Sequence, residues 1–530
     1  MQNDEYGFRQ LLDALDSRSA GRLKSSLQRT EEGYSTDLRK PFYDERPREW
    51  IIERARREIS ESPFEELRRV DNNDEKKIGP ASIRLPYAER EVDVAAYHAQ
   101  EHSMRYDSMD AAYLRICNLH PKLTLDADPL DIAYELMPRG TMLGAPRFTS
   151  NRAAAREYLE RAKSIKSPDQ IYPCLIGWRG QPKGLHMVPK QRVVFMFDHA
   201  ETIIGASILY PVLNILRRLP GFSAWSGPDD VDIAATRLLH TAQDNKRLVY
   251  SLDYAAFDST LHGDIIDYAF RVLLNWFKES WHPRILLLQE VFTTIGLMVP
   301  NTILVGRSGG VPSGSALTNL IDSLANLLAI YYCADRLGLD ILDVEVLGDD
   351  SVVVFSDDPS LVELEQVMME LGLEVSPDKQ WISEISCHYL QRLHTLEHEV
   401  DGFNRGIRSF YRALPGMMNY ERYRTYPEGK LKYLIYAQEV MQTQNCVWHP
   451  LFKEICKFVY GGDKIMQSGV DPVIAFKRAG GAKMIREHLS IASFPYNVKR
   501  PEGVESFEVT REIRVLQGSS KGTLRSSLRG

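Results

Sequence analysis

Cysteine is scarce and scattered in this chain. Six residues among 530 (Cys117, Cys174, Cys333, Cys387, Cys446 and Cys456) are too few and too irregularly spaced to staple a chain of this size. That excludes a disulfide framework and points to reduced thiols in a cytosolic setting. Long apolar runs are lacking as well: the stretch from Ile203 to Leu216 is interrupted by Pro211 and Asn214 and is expected to fall short of a membrane span. The start, Met1-Gln2-Asn3-Asp4-Glu5, has no basic region followed by an apolar one, so no signal peptide is expected. Positive charge is not in excess either. A net charge of −7 excludes an exterior that coats nucleic acid everywhere, because phosphate binding rests on clustered Lys and Arg; any such contact must be a lined channel. No Gly-x4-Gly-Lys-[Ser/Thr] loop occurs, which leaves ATP-driven helicase activity unsupported, and no internal repeat is evident. The expectation is a soluble intracellular protein.

What is present is enough apolar residue, 44%, to build several cores, so two to four subdomains are expected. Phe8, Leu11, Leu12 and Leu15 fall at helical spacing near the start. Arg39, Arg46, Arg48, Arg54, Arg56 and Arg57 follow, alternating with Glu45, Glu49, Glu53 and Glu58, which reads as a solvated helical face, with a template-touching basic arm as the alternative. Leu248 to Asp253 suits a buried strand that ends on an acid. Val344 to Leu347 and Ser351 to Phe355 read as two strands joined by Gly348-Asp349-Asp350. Asp358-Pro359 is expected to open a helix, with Leu361, Leu364, Val367, Met368 and Leu371 inward and Gly372 closing it. Strand, hairpin and covering helix make an α+β layer. Beyond Val400 the patterns turn helical, including Leu431 to Met441 and Leu451 to Val459. The polar, glycine-rich end, Gln517 to Thr523, is expected to be mobile unless it docks.

Gly-Asp-Asp alone is what any tight hairpin turn prefers. Asp253, a second acid at a strand end in an apolar setting, changes its meaning. Carboxylates gathered within a few ångströms raise one another's pKa unless cations neutralise them, and magnesium, which takes oxygen ligands and keeps waters for substrate phosphates, suits an open acidic cluster. The expectation is a template-copying polymerase using two metal ions, Asp253 and Asp349 as bridging ligands and Asp350 as auxiliary. Asp258 lies five positions after Asp253, where reverse-transcribing enzymes place an aromatic that clashes with a 2′ hydroxyl; a carboxylate there accepts a hydrogen bond and favours ribonucleotides. Ser313-Gly314 suits a turn that lets backbone approach a ligand. Thr318, Asp322 and Asn326 recur every four positions on one helix face, set either to touch sugar and template or to form ordinary helix contacts. Arg179, Lys183, Lys190 and Arg192 form the densest basic stretch upstream. Alternation places Lys190 and Arg192 on one face of an extended segment, ready for phosphate oxygens, with a surface strand of paired charges as the alternative.

Taken in order, Asp-x4-Asp, Ser-Gly-x3-Thr and Gly-Asp-Asp resemble the viral RNA-dependent RNA polymerases over roughly Gly177 to Arg392. Among these the chain looks most like enzymes of small bisegmented double-stranded RNA viruses, picobirnaviruses first and partitiviruses second. The resemblance implies an α+β right hand: an N-terminal extension over 1–60, fingers over 61–240 with the triphosphate stretch 177–192, palm over 241–395 with a fingers insertion near 280–310, thumb over 396–515 and a flexible tail over 516–530. It implies two Mg2+ ions, with Mn2+ able to substitute, and as partners an RNA template and product duplex, ribonucleoside triphosphates and a capsid protein, with no membrane. It also implies residence in the virus particle and the host-cell cytoplasm. Lys379 matches the palm lysine that acts as general acid toward pyrophosphate, and Tyr389-Leu390-Gln391-Arg392 resembles the primer-grip turn. One departure stands out: Asp322 occupies the place of an asparagine in the positive-strand pattern, so two acids, Asp258 and Asp322, share the sugar-recognition region, where two close carboxylates seldom both ionise.

Other readings compete. A reverse transcriptase-type polymerase shares the acids. His394-Thr395-Leu396-Glu397-His398 fits a zinc metallopeptidase pattern, which needs both histidines on one helical turn, whereas the segment follows a strand-like run. Cys446, His449 and Cys456 lack a fourth zinc ligand at suitable spacing and read as core residues. A catalytically dead palm that only packages RNA is opposed by intact acids at all three places.

Overall fold

The computed structural model describes residues 1–119, 124–137, 142–375, 380–422, 425–481 and 501–527. Its centre is a four-stranded antiparallel sheet in the order Ile341–Leu347, Asp350–Phe355, Val249–Leu252, Trp381–Ser383. Strand periodicity explains why the run Ser351 to Phe355 is so apolar: alternate side chains face opposite sides, and both sides are covered. Val353 and Phe355 join the large core with the helix Thr318–Leu337, whereas Val352 and Val354 pack with Val231, Ala235, Leu238 and Leu239 of the helix Pro228–Asn245. The expected hairpin is therefore present, with Leu347 paired to Asp350 across a two-residue turn.

The helix after the hairpin starts later than expected. It spans Leu361–Glu370, and Ser360, not Asp358, is its cap, in a capping box with Glu363. Asp358 instead accepts from the Leu248 backbone N–H at 2.9 Å, tying the start of the central strand. Gly372 closes the helix as expected, at φ +73°.

A second sheet, five strands wide, carries the antiparallel pair Cys174–Gln181 and Lys190–Met196. Leu297–Val299 and Thr302–Val305 extend it, and Gln2–Asp4 adds an edge strand. The helix His199–Leu216 lies behind it. This helix corrects one expectation: at 18 residues and a mean hydropathy of 1.2 it is long and apolar enough to cross a membrane by length and composition. Ile203, Ile204, Ile208, Val212 and Leu216 are nevertheless spent on the protein core.

The helices beyond residue 400, Phe410–Met418, Leu431–Gln444 and Phe452–Gly462 among them, form a separate core, and Phe42, Tyr43, Ile51, Ile52 and Ala55 are built into it. Residues 1–60 thus divide between two bodies. Three of the six arginines from Arg39 to Arg57 are in ion pairs: Arg48 with Asp37, Arg54 with Glu58, Arg56 with Glu75. Near the end of the chain Glu508–Ser527 is helical. Val509 and Ile513 are buried in the same core, and Gln517 donates to the carbonyls of Met466 and Val470, both at 2.9 Å. That anchoring carries the helix into a glycine- and serine-rich segment of low intrinsic propensity.

Candidate active site

The central sheet brings distant acids to one edge. Leu252 pairs with Ser351, so the same antiparallel register, continued by one residue, sets Asp253 level with Asp350. Asp349 stands beside them in the turn, where Gly348 at φ +62° supplies the left-handed conformation a two-residue hairpin demands. Side chains from behind fix this backbone. Ser323 Oγ accepts from the Gly348 N–H at 2.8 Å, Asn326 Nδ2 donates to the Gly348 carbonyl at 3.0 Å, and Tyr254 donates to Asn326 Oδ1 at 3.1 Å. On the other strand Gln380 clamps Asp253, accepting from its N–H at 3.0 Å and donating to its carbonyl at 2.7 Å.

The carboxylates act strongly on one another. Burial, then Asp349 and Asp253, push Asp350 up to about 7. Burial and Asp349 push Asp258 up to about 6, against the pull of Arg192 and Lys190. Asp322 is fully buried and raised well above the ordinary range, by burial first and then by Asp258 and Asp349; its Oδ1 has no hydrogen-bond partner. An all-oxygen set that repels itself fits a hard divalent cation.

Among the described residues, one group of three potential ligands has its ligand atoms mutually within 4.8 Å: His102, His262 and Asp264. The histidine group is chemically unsuited to a metal. Both rings accept a backbone N–H at Nδ1, from Met104 and Asp264 respectively, each at 3.1 Å, which leaves the proton on Nε2, the atom a metal would need.

The expected phosphate and sugar groups are only partly brought together. Lys190 and Arg192 are exposed on the strand Lys190–Met196 and act on Asp258. Arg179 sits across the sheet from Arg192 but pairs with Glu421 at 3.1 Å, and Lys183 acts on Asp93. The loop at Ser313-Gly314 lies against the same strand: Ser313 donates to the Val193 carbonyl at 3.2 Å, and a Cβ on Gly314 would stand 1.8 Å from the Phe195 carbonyl oxygen, so only glycine fits. The helix face of Thr318, Asp322 and Asn326 does not act as one surface. Thr318 closes the loop by donating to the Pro312 carbonyl at 2.7 Å and Asn326 supports the Gly348 turn, which leaves Asp322 facing the acids. Lys379 lies outside the described residues.

Sequence reasoning missed Arg412. It acts on Asp350 from the helix Phe410–Met418 and donates to Gln391 Oε1 at 3.2 Å, at the tip of the hairpin whose turn holds Leu390 and Gln391 at positive φ. His394 lies on the strand Arg392–Thr395, buried, donating to the Asn404 carbonyl at 2.9 Å and pushed down to about 3 by burial. Two histidines on one helical turn are therefore not available there. Cys446 and Cys456 are buried free thiols.

With this geometry in hand, comparison with known proteins is direct. The viral RNA-dependent RNA polymerase family model matches residues 147–402. A potential RNA-dependent RNA polymerase of human picobirnavirus is 25% identical over 466 residues, 83% of this chain and 85% of its own length. The RNA-directed RNA polymerase of Cryptosporidium parvum virus 1 is 26% identical over 320 residues, 56% of this chain and 57% of its own length. The crystal structure of a human picobirnavirus RNA-dependent RNA polymerase shares the fold with a TM-score of 0.77 at 22% identity, covering 93% of this chain and 96% of that one.

Proposed function

We propose that this chain, which belongs to the viral RNA-dependent RNA polymerases, copies RNA by two-metal nucleotidyl transfer at the sheet edge formed by Asp253, Asp349 and Asp350. The observation that carries the reading is the strand register that levels Asp253 with Asp350, together with the rise of Asp350 under burial, Asp349 and Asp253. Asp253 and Asp349 would hold two Mg2+ ions between them, with Asp350 auxiliary and Mn2+ able to substitute. When bound, such ions favour the ionised 3′ hydroxyl and neutralise the departing pyrophosphate.

The chain's own groups do the rest. Lys190 and Arg192 pair with triphosphate oxygens, and Arg179 and Lys183 add positive charge to the approach. Ser313 and Gly314 let the backbone come close to the nucleotide, and Asp258 accepts from the ribose 2′ hydroxyl with Asp322 beside it. Thr318 acts by holding the loop. Lys379 is assigned to protonate pyrophosphate. In this reading residues near 61–240 are fingers, 241–395 palm and 396–515 thumb, closing on template and product duplex. The enzyme works inside a virus particle and the host cytoplasm, in company with capsid protein.

The test is synthesis by purified protein on a single-stranded RNA template with magnesium and four ribonucleotides. Full-length complementary product is expected; none from the wild-type chain across varied metal and salt overturns the reading.

A further inference from the structure

The loop that follows Val311 is fastened to the segment that carries Lys190 and Arg192, and one of those fastenings is a buried acid outside the polymerase motifs. Glu201 sits in the first turn of the helix His199–Leu216, a helix whose cap, Asp198, accepts from the Ala200 N–H at 3.0 Å and is gripped by both terminal nitrogens of Arg161, at 2.9 and 2.7 Å. The helix start is thus immobilised. Glu201 itself is 1% exposed. Ser315 Oγ donates to Glu201 Oε1 at 2.9 Å, and the same hydroxyl accepts from the Leu317 N–H at 3.3 Å, so the acid fixes the loop through a side chain that also shapes the loop's own backbone.

The loop's other contacts are apolar or backbone, and Glu201 has a further side-chain hydrogen bond from Thr202. Gly314 lies flat against the Phe195 carbonyl, Ser313 bonds the Val193 carbonyl, and one turn further along the helix a Cβ on Gly205 would come 3.1 Å from the Ala316 Cβ. Three residues of the loop therefore rest on the strand that faces the triphosphate and on the helix behind it. Burying a carboxylate is costly, and burial, with Asp198 behind it, pushes Glu201 up to about 8 while the hydrogen bonds from Ser315 and Thr202 pull it back. A hydrophobic side chain would fill the same space at lower cost, which argues that the acid serves the loop and not the core.

We propose that Glu201 is a positioning residue for nucleotide selection: through Ser315 it holds the Ser313–Leu317 loop in fixed relation to Lys190 and Arg192, so that sugar and triphosphate are read together. The proposal rests on the polymerase reading above and adds to it a residue that touches neither substrate nor metal. It predicts that loss of the hydrogen bond acts on nucleotide binding and ribose discrimination more than on the chemical step.

The experiment measures single-nucleotide incorporation on an RNA template for Glu201→Leu, Glu201→Gln, Ser315→Ala and the double variant Glu201→Leu/Ser315→Ala, with thermal melting of each. Glu201→Leu and Ser315→Ala are each expected to raise the nucleotide KM by up to about tenfold, the worth of one buried hydrogen bond, with a smaller change in kcat and a reduced preference for ribonucleotides over deoxyribonucleotides. The double variant is expected to be no worse than either single one. Glu201→Gln, which keeps an acceptor oxygen, is expected to recover most of the affinity. Unchanged KM and sugar preference in a folded Glu201→Leu, or fully additive losses in the double variant, overturn the proposal. Failure of the polymerase reading is distinguishable, because the wild-type chain would then make no product at all.

Discussion

Two acidic places around the central sheet solve the same electrostatic problem in opposite ways. Asp232, on the helix Pro228–Asn245, is 1% exposed and is met by the protein: Arg392 donates to Oδ1 at 3.1 Å, the Gly406 N–H to the same oxygen at 3.1 Å, and Arg405 to Oδ2 at 3.3 Å. At the sheet edge the protein spends its hydrogen bonds on backbone, through Gln380, Ser323 and Asn326, and leaves Asp349 and Asp350 pushing against each other and against Asp253. A fold that meant only to be stable would treat both alike. The contrast is what the proposed metal-binding role of the second place calls for, with Arg412 and Arg192 offsetting Asp350 only in part.

Asp349→Asn is the strongest way to break the comparison. It is expected to lower RNA synthesis on the order of a thousandfold or more, since several kcal/mol of charge stabilisation depends on the acid set. The melting temperature should stay level or rise, because a repulsive charge is removed. Product measured on a gel alongside a thermal melt checks both, and near-normal synthesis would show that the acids at the sheet edge are not catalytic.

The reverse is expected at the satisfied site. Asp232→Ala takes from the little-exposed Arg392 its carboxylate partner and from the Gly406 N–H its acceptor, while Arg405 keeps Asp229 at 2.9 Å, and should destabilise the fold by about 3 kcal/mol, read as a lowered melting temperature and earlier denaturant unfolding. Synthesis per folded molecule should suffer far less than in Asp349→Asn. If the two variants exchanged phenotypes, the distinction between the arginine-held acid and the sheet-edge acids would carry no functional information.

Arg192→Ala sharpens the picture from the positive side. Arg192 is exposed and acts on Asp258 across the site, so its loss should raise the nucleotide KM by about tenfold with a smaller effect on kcat, the size of one charge-assisted hydrogen bond. Arg179→Ala serves as the comparison: its guanidinium already bonds Glu421, and a smaller shift is expected.

Much of this was legible in the chain. The acids at strand ends, the Gly-Asp-Asp turn and the glycine that must touch backbone at 314 all carry local signals: alternation, turn chemistry, close approach. What was not legible is held by long-range partners. Gln380 lies 127 residues from Asp253, and Glu201 lies 114 residues from Ser315, with nothing in either local sequence to announce the other. Helical spacing grouped Thr318, Asp322 and Asn326 correctly on one face but could not say that two of them were already occupied by the loop and the turn. Likewise the polar chain end looked mobile because composition does not reveal that Gln517 docks onto the helices beyond residue 460.

The smallest expected effect concerns Asp258, which stands between the two kinds of acid, partly offset by Arg192 and Lys190 and partly opposed by Asp349. Its carboxyl is raised to about 6, so it is ionised above that pH and increasingly protonated below it. As the ionised form is the better acceptor for a ribose 2′ hydroxyl, preference for ribonucleotides should weaken, by a few-fold on the order of one modest hydrogen bond, as pH falls from 8 through 6. Asp258→Ala should show the weaker preference at every pH and lose the dependence. Incorporation ratios for a ribonucleotide against its deoxy counterpart, measured across that range in both proteins, decide the matter: parallel curves would mean that some other group reads the sugar.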